Sequence, residues 1–136
     1  MKILITESMD RGIDGYYSFP VVHGNVKLND IPRNACESIV VDQCIDRIKE
    51  PEVINSLCRR LRKEGVVVIT GTDILVLAQN LINKKTTIEE FSNYAQQTKS
   101  FWSVENLINT LKGYRMEIIS ATLQGVRYEI RARRSK

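Results

Sequence analysis

The segment that decides the fold is residues 51–70, with the sequence PEVINSLCRRLRKEGVVVIT. Its first part predicts a helix from about Pro51 to Lys63, because apolar side chains recur there every three or four residues. Gly65 suits the end of that helix, and the β-branched run 66–70 predicts a buried strand. A helix followed at once by such a strand is typical of a crossover between parallel strands. We therefore expect a mostly parallel α/β sheet.

Short strands are also predicted before this segment. Residues 2–6 and 38–42 form compact apolar runs, and residues 16–19 and 21–23 are weaker candidates that a proline separates. Residues 7–15 contain two glycines and predict a loop.

Helices and a hairpin are predicted after the segment. The expected capping residues are Thr72 or Asp73 for a helix at 74–82, Thr87 for one at 88–95, and Ser103 for one at 103–111 that Gly113 stops. Two strands, 115–123 and 126–133, have only Gln124-Gly125 between them, which is the spacing of an antiparallel hairpin. Right-handed crossovers in such a chain place helices on both faces of the sheet.

A ligand site is expected at one edge of this sheet, because open α/β sheets bind ligands beyond the carboxyl ends of their strands. The residues predicted there are Thr6, Glu7 and Ser8, then Asp42 and Gln43, then Gly71, Thr72 and Asp73.

The charge of the chain is concentrated at its C-terminal end. The whole net charge of +4 equals the balance of residues 127–136, whose bases are Arg127, Arg131, Arg133, Arg134 and Lys136. Such a cluster can bind nucleic acid or an acidic partner. The alternation of these bases with apolar residues favours an amphipathic strand with a solvated face. A second basic cluster, at Arg59, Arg60, Arg62 and Lys63, lies at the C-terminal end of the predicted helix, where positive charge stabilises the helix by opposing its dipole.

Composition excludes several kinds of site. The chain has 136 residues with 43% hydrophobic residues, which fits a single domain spanning 1–136. Cys36, Cys44 and Cys58 form no C-x-x-C pair, and His23 is the only histidine, so we expect structural cysteines, no metal site and a reducing, cytoplasmic location. No apolar run is long enough to cross a membrane, and the N-terminus lacks the pattern of a secretory signal.

The order of these motifs resembles that of class I S-adenosylmethionine-dependent methyltransferases. The segment 31–48, IPRNACESIVVDQCIDRI, is similar to the family's segment of a proline turn, a strand and a glutamate-histidine pair. Residues 61–69, LRKEGVVVI, resemble its glycine-then-strand segment, and the closing helix, Gly113-Tyr114 and hairpin resemble its C-terminal end. The resemblance covers about residues 16–134. It implies a Rossmann-like, methyltransferase-like fold and S-adenosylmethionine as a cofactor.

The sequence departs from the family where the cofactor binds. Residues 6–10, TESMD, stand where the family has a glycine-rich loop after its first strand. Phe19-Pro20 stands near the position of the acid that usually follows the family's second strand. Arg47 stands at the position of the histidine in the family's glutamate-histidine pair. The family commonly has another acid after its third strand, and Asn25 is the nearest match to it here, with Asp30 as a possible substitute. The cofactor-binding candidates are therefore Thr6, Glu7, Ser8, Asn25, Asp42, Gln43 and Asp73, and no catalytic residue is identified.

The N-terminal part is also predicted to be truncated. Nine residues, 7–15, separate the first two strand candidates, whereas a parallel crossover usually takes about a dozen or more. A lost helix would expose apolar sheet surface, which a second subunit could cover, so we expect a homo-oligomer.

Three functions remain open. The first is a binding or assembly module that has lost its S-adenosylmethionine site. The second is an active small methyltransferase whose pocket is lined by Asn25, Asp42 and Asp73. The third is a nucleic-acid-binding protein that uses Arg127, Arg131, Arg133 and Arg134. An aromatic group at Phe91, Tyr94, Phe101 and Trp102 is interpreted as core or lid packing.

Overall fold

The computed structural model describes residues 1–10 and 12–135. The strands in these residues are β1 (Lys2–Thr6), β2 (Tyr17–Val22), β3 (Asn25–Val26), β4 (Cys36–Val41), β5 (Leu61–Thr72), β6 (Met116–Gln124) and β7 (Arg127–Arg134). The helices are α1 (Val53–Arg60), α2 (Ile74–Ile82), α3 (Ile88–Gln97) and α4 (Val104–Gly113), with a 3₁₀ turn at Ile45–Arg47.

The described strands form one sheet in the order β3-β2-β1-β4-β5-β7-β6. The pairs β1–β2, β1–β4 and β4–β5 are parallel, whereas β5–β7 and β6–β7 are antiparallel. The predicted parallel sheet with a C-terminal antiparallel hairpin is therefore confirmed.

One face of the sheet carries the hydrophobic core. The register aligns Ile3, Ile39, Val67 and Ala132 across four strands, and all four side chains are buried. The buried residues of α1 and α4 belong to the same core, because the amphipathic repeat of each helix turns its apolar side toward these strands. Helices α1 and α4 therefore lie on the same face of the sheet, whereas the sequence predicted helices on both faces.

The opposite side, which we call the open face, has a different cover. Leu4, Val40, Val68 and Arg131 are aligned across it, and Val40 and Val68 are only half-buried. Tyr16, from the loop between β1 and β2, crosses this face and its hydroxyl lies 2.8 Å from Ser38 Oγ. A groove there is lined by strand residues, by Asp42 and by Ile13 and Tyr16 of that loop, and no lining residue belongs to a helix.

The segment 51–70 folds differently from the prediction in one respect. Helix α1 ends at Arg60, and β5 begins at Leu61 rather than at Val66. Between Leu61 and Val66 the register of β5 against β4 jumps, so the residues between them form a bulge. Gly65 belongs to this bulge and does not end the helix. A Cβ on Gly65 would lie 2.8 Å from the carbonyl oxygens of Arg62 and Cys36, so the site requires glycine.

Several other boundaries are corrected. Strand β2 runs unbroken through Pro20, whose outer edge is unpaired because β3 pairs only with Val21 and Val22. Strand β3 is antiparallel to β2, and the two are joined by a tight turn at His23-Gly24, both with positive φ. Helix α4 includes Gly113, and the chain leaves it at Arg115, which has a φ of 63°.

The crossover from β1 to β2 is short, as predicted. Its described residues, 7–10 and 12–16, form bends and turns without a helix, and Arg11 lies outside the described residues. Among the described residues, no helix has the length and hydrophobicity that crossing a bilayer demands.

Candidate functional site

The chain turns sharply at the carboxyl end of β1. The buried Thr6 hydroxyl accepts a hydrogen bond from the Ser8 backbone N–H at 3.1 Å, and it also lies 3.1 Å from the Ser8 carbonyl, to which it donates. Such side-chain bonds replace the backbone partners that a loop otherwise lacks. The residues after β1 are thus folded back on themselves, with the Glu7 side chain left on the surface.

Arg47 lies next to this turn. Its Nη1 is 3.8 Å from Glu7 Oε2, and its Nε is 3.9 Å from Asp46 Oδ1. The 3₁₀ turn that follows β4 positions this guanidinium group between the two carboxylates. The residue that replaces the family's histidine therefore links the end of β1 to the segment after β4.

The backbone after β4 is tied to both neighbouring strands. Asp42 N–H donates to the Ile5 carbonyl at 2.9 Å, and Gln43 N–H donates to Thr70 Oγ1 at 3.0 Å. Gln43 adopts a φ of 51°, and the buried Cys44 thiol donates to the same Ile5 carbonyl. Burial and nearby carboxylates raise the pKa of the Cys44 thiol to about 12, so it stays protonated and packs as an apolar group.

Asp73 has both carboxylate oxygens engaged with the backbone. Oδ1 accepts from Leu75 and Val76 at 2.9 and 3.1 Å, which caps α2, and Oδ2 accepts from Val104 at 2.9 Å in the first turn of α4. Only 4% of Asp73 is exposed. Of the two predicted capping residues, Asp73 is the cap, and it joins two helices to the end of β5.

Asn25 is distant in the sheet order from these residues. It lies in β3, at the outer edge of the sheet, and lines a largely apolar cavity of about 370 Å³ with residues of β2 and the β2–β3 turn. The structure therefore brings together Thr6, Glu7, Ser8, Asp42 and Gln43, at the adjacent ends of β1 and β4. Gly71 and Thr72 still belong to β5, beside the hairpin.

Sequence reasoning missed a buried polar pair. Asp46 is only 4% exposed, and Tyr94 donates its hydroxyl hydrogen to Asp46 Oδ2 at 3.0 Å. Burial raises the pKa of the Asp46 carboxyl above its ordinary value, and burial together with Asp46 raises the pKa of Tyr94. The Asp46 carbonyl also accepts from Lys99 and Ser100. Asp46 occupies the place of the glutamate in the family's glutamate-histidine pair, which was the available signal.

The predicted aromatic group is dispersed. The rings of Tyr94 and Phe101 have centroids 6.3 Å apart, whereas Trp102 packs against the core and donates to Ser100 Oγ at 2.9 Å. Phe101 itself is 53% exposed. Tyr94 and Trp102 are therefore packing residues, as predicted.

The basic C-terminal strand has the predicted amphipathic alternation. Tyr128, Ile130 and Ala132 are buried in β7. Of the arginines, Arg131 pairs with Glu129 and Arg133 with Glu117, each at 2.9 Å, while Arg134 donates to Asn34 and to the Leu61 carbonyl. Arg127 is exposed at the hairpin, and Lys136 lies outside the described residues.

The second basic cluster is divided between two elements. Arg59 and Arg60 lie in the last turn of α1, where their positive charges stabilise the helix by opposing its dipole. Arg62 and Lys63 belong to the bulge of β5.

The cysteines and the histidine differ in solvent exposure. All three cysteines are free and buried, as predicted, and His23 is exposed in the β2–β3 turn. The described residues contain no group of three or more His, Cys, Asp or Glu side chains placed to hold a metal ion.

Neither a protein-family model nor a curated protein matches this sequence. Solved structures do resemble the chain. A protein from Thermotoga maritima, described as an S-adenosylmethionine-dependent methyltransferase and possible histamine N-methyltransferase, superposes with a TM-score of 0.59 at 14% identity, over 88% of this chain. A methyltransferase from Aquifex aeolicus gives 0.56 at 12% identity over 89%. A provisionally assigned methyltransferase from Bacillus halodurans gives 0.59 at 8% identity over 100%.

The chain has the fold of class I methyltransferases. The superpositions cover 88% of this chain or more. The chain spans only 65% and 56% of the Thermotoga and Aquifex proteins, and 84% of the Bacillus protein. A methyltransferase-like fold is thus present in a shorter chain.

Proposed function

We propose that this methyltransferase-like protein does not use S-adenosylmethionine and acts as a binding and assembly module. The observation that carries the proposal is the closed end of β1, where Thr6 bonds back to Ser8 and Glu7 pairs with Arg47. The Arg47 guanidinium, which could otherwise pair with the carboxylate of the donor, is already engaged by Glu7 and Asp46. A donor that binds at this end of the sheet would have to displace contacts within the chain, so the residues present do not fit this cofactor well.

The β1–β2 crossover supports the same proposal. A helix N-terminus after β1 would present free backbone N–H groups to an anionic ligand. The described residues of this crossover contain no helix, and the Ser8 N–H is already bonded to Thr6. The crossover therefore lacks the donors that a helix would supply.

The hydrogen bonds of Asp73 also support a structural role for this edge of the sheet. Its oxygens accept three backbone N–H bonds and are nearly excluded from solvent. To bind a ligand, Asp73 would have to release two helix termini, which costs about 1 kcal/mol or more for each lost cap. Of the three residues predicted to line an active methyltransferase pocket, this one is committed to the fold.

An active methyltransferase is the alternative, and ligand binding distinguishes the two. We expect no thermal shift and no heat of binding when the wild-type chain is titrated with S-adenosylmethionine or S-adenosylhomocysteine to millimolar concentration. A ligand at 100 times its dissociation constant would stabilise the fold by about 2.7 kcal/mol, which thermal unfolding detects.

A matched variant makes this result sharper. Glu7→Gln removes the charge that pairs with Arg47 but keeps the size of the side chain. Saturable binding by the wild type would contradict the proposal and favour the active enzyme. Binding that appears only in Glu7→Gln would support it, because it would identify the Glu7 charge as the obstacle.

Nucleic-acid binding is less well supported by the arginine contacts. Arg131, Arg133 and Arg134 already bind acceptors within the chain. A salt-dependent gel shift with DNA and RNA tests it, because phosphate contacts weaken steeply with added salt. We expect no salt-sensitive complex, and a steep salt dependence would favour this third function.

A further inference from the structure

A largely apolar cavity lies at the outer edge of the sheet, between β2 and the chain that returns through β3. It has a volume of about 370 Å³ and is lined by Phe19, Pro20, Val22, His23, Asn25 and Lys27. Small-molecule sites in proteins are typically cavities of roughly 300–1,000 Å³ with apolar walls and a few polar groups that fix the ligand. The size and the lining of this cavity therefore suit a small ligand.

The walls of the cavity are held in place by the rest of the fold. Val21 and Val26, which alternate with lining residues along β2 and β3, are buried in the core, and Phe19 packs against it. The Gly24 carbonyl in the β2–β3 turn accepts from the Lys49 N–H at 2.9 Å, and the Lys49 side chain packs over Gly24. A preformed site loses little conformational freedom when a ligand binds, so less of the binding energy is spent on ordering.

The polar groups of the cavity give it a positive character. Lys27 contributes an ammonium group, His23 an imidazole and Asn25 an amide, and no residue that lines the cavity is acidic. Within residues 1–10 and 12–135, the side chains of these three residues form no hydrogen bond or ion pair. They are all exposed, so they are available to a ligand.

We propose that this cavity binds a small aromatic anion, with its ring against Phe19, Pro20 and Val22 and its anionic group beside Lys27. Flat ring systems pack favourably against ring side chains such as that of Phe19. A hydrogen bond from an ammonium group to a carboxylate or phosphate is charge-assisted, and the Asn25 amide can donate a second one. The inference names a ligand class for the proposed binding module, and to that extent it rests on the proposed function.

The lining favours this ligand class over two others. A cationic ligand, such as one with a sulfonium group, would meet the like charge of Lys27. A neutral aromatic ligand would fill the apolar part of the cavity but would gain no charge-assisted bond from Lys27. Lys27 therefore sets the preference, and it is not among the residues that the sequence predicted for a cofactor.

The first test compares ligands that share one ring system. 2-Naphthoate has a carboxylate where 2-naphthamide has a neutral amide, and amide chemical shifts of the wild-type full chain are followed in a titration with each. We expect saturable shifts at Phe19, Val22, Asn25 and Lys27 with naphthoate, and about fivefold weaker binding of naphthamide, as for the loss of an exposed charge pair. A parallel titration with 2-naphthyl phosphate shows whether a carboxylate or a phosphate is preferred.

A matched variant assigns this preference to Lys27. Lys27→Met removes the charge but keeps most of the length of the apolar stem. It should weaken naphthoate binding about fivefold and leave naphthamide binding unchanged, so that the preference disappears. Lys112→Met, at an exposed position on α4, is the control and should change neither affinity.

A second variant tests the location of the site. Val22→Glu places a carboxylate in the cavity and should abolish naphthoate binding, because it fills the apolar part and repels the anion. Ile119→Glu is the control, since Ile119 is 51% exposed on β6 and Val22 is 53% exposed. The control should bind as the wild type does, and circular dichroism establishes that both variants are folded.

Three outcomes would overturn the inference: no saturable shift at the cavity up to millimolar ligand, equal affinities for naphthoate and naphthamide, or a preference that Lys27→Met leaves intact. Tighter binding of the phosphate than of the carboxylate would support it and identify the anionic group. The proposed function fails separately, through binding of S-adenosylmethionine, which has its own titration.

Discussion

The two parts of the sheet are stabilised in different ways. Strands β4, β5 and β7 have α1 and α4 packed on one face and account for much of the buried core. Strands β1, β2 and β3 are joined by a helix-free crossover and a tight turn, so local side-chain bonds and loops replace helices there. The two parts thus differ in how their strands are connected, although Ile3 and Ile5 of β1 belong to the same hydrophobic core. The predictions below compare substitutions in the two parts.

The largest expected effect is at Gly65, in the bulge of β5. Gly65→Val should lower the free energy of unfolding by about 3 kcal/mol or more, because the new Cβ would meet two backbone oxygens. The matched substitution in the crossover is Gly12→Ala, where a Cβ meets nothing within 4 Å, and it should change stability by less than about 0.5 kcal/mol. Urea denaturation measures both. Similar losses at the two glycines would remove the contrast between the two parts.

The next effect is at Asp73. Asp73→Ala should cost about 2–3 kcal/mol, because it removes the cap of α2 and the acceptor of the Val104 N–H in α4. Asp73→Asn keeps one carbonyl oxygen and should recover part of that loss. Ser103→Ala, which removes only the acceptor of the Asn106 N–H in α4, should cost about 1 kcal/mol. Equal losses for Asp73→Ala and Ser103→Ala would contradict the two-helix role.

A smaller effect is expected at the Glu7–Arg47 pair. Glu7→Ala should cost about 1 kcal/mol or less, because the Glu7 side chain is 44% exposed and surface ion pairs contribute little. A double-mutant cycle with Arg47→Ala isolates the coupling between the two side chains from the contact of Arg47 with Asp46. Coupling well above that range would mean that the pair stabilises this end of the sheet as strongly as the core does.

The pH dependence of stability should report the buried Asp46. Its pKa is raised by burial, so the protonated carboxyl is favoured in the folded chain. The stability it provides is fully present below the unfolded pKa of about 3.9 and is lost as the pH rises through the folded value. Asp46→Asn should therefore gain stability relative to the wild type as the pH rises through this window. A difference that is flat or that falls with pH would contradict the burial argument.

The smallest effect is expected at Tyr128. Its hydroxyl is buried and, among the described residues, has no hydrogen-bond partner. Tyr128→Phe should leave stability within about 1 kcal/mol of the wild type or raise it, because no hydrogen bond is lost. A larger loss in thermal unfolding would mean that the hydroxyl has a partner.

The sequence predicted the fold well where a pattern is local. The apolar runs at 2–6 and 38–42, the closing hairpin and the cap at Ser103 depend on residues close together in the chain, and the structure contains each of them. Gly65 was misinterpreted for a related reason. A glycine after a helix has a local explanation, whereas its contact with the Cys36 carbonyl joins two strands and leaves no trace in the order of residues.

The candidate site was predicted less completely. The sequence placed Thr6, Glu7, Ser8, Asp42 and Gln43 at one edge, and parallel pairing of β1 with β4 accounts for that success. It did not predict that the Asp73 carboxylate would bond to the N-termini of two helices, because Val104 lies 31 residues later in the chain. The open face was likewise obscured, since alternation within a strand shows two faces but not which face the helices cover.

The most direct test of the account is a residue-resolved titration of the wild-type chain with S-adenosylmethionine, followed by amide chemical shifts. The account predicts that the amides of Thr6, Glu7, Ser8 and Gln43 stay unperturbed up to millimolar ligand, because the end of β1 is already closed by its own bonds. Saturable shifts at these amides would contradict it, and would make the chain a methyl-donor-binding protein after all.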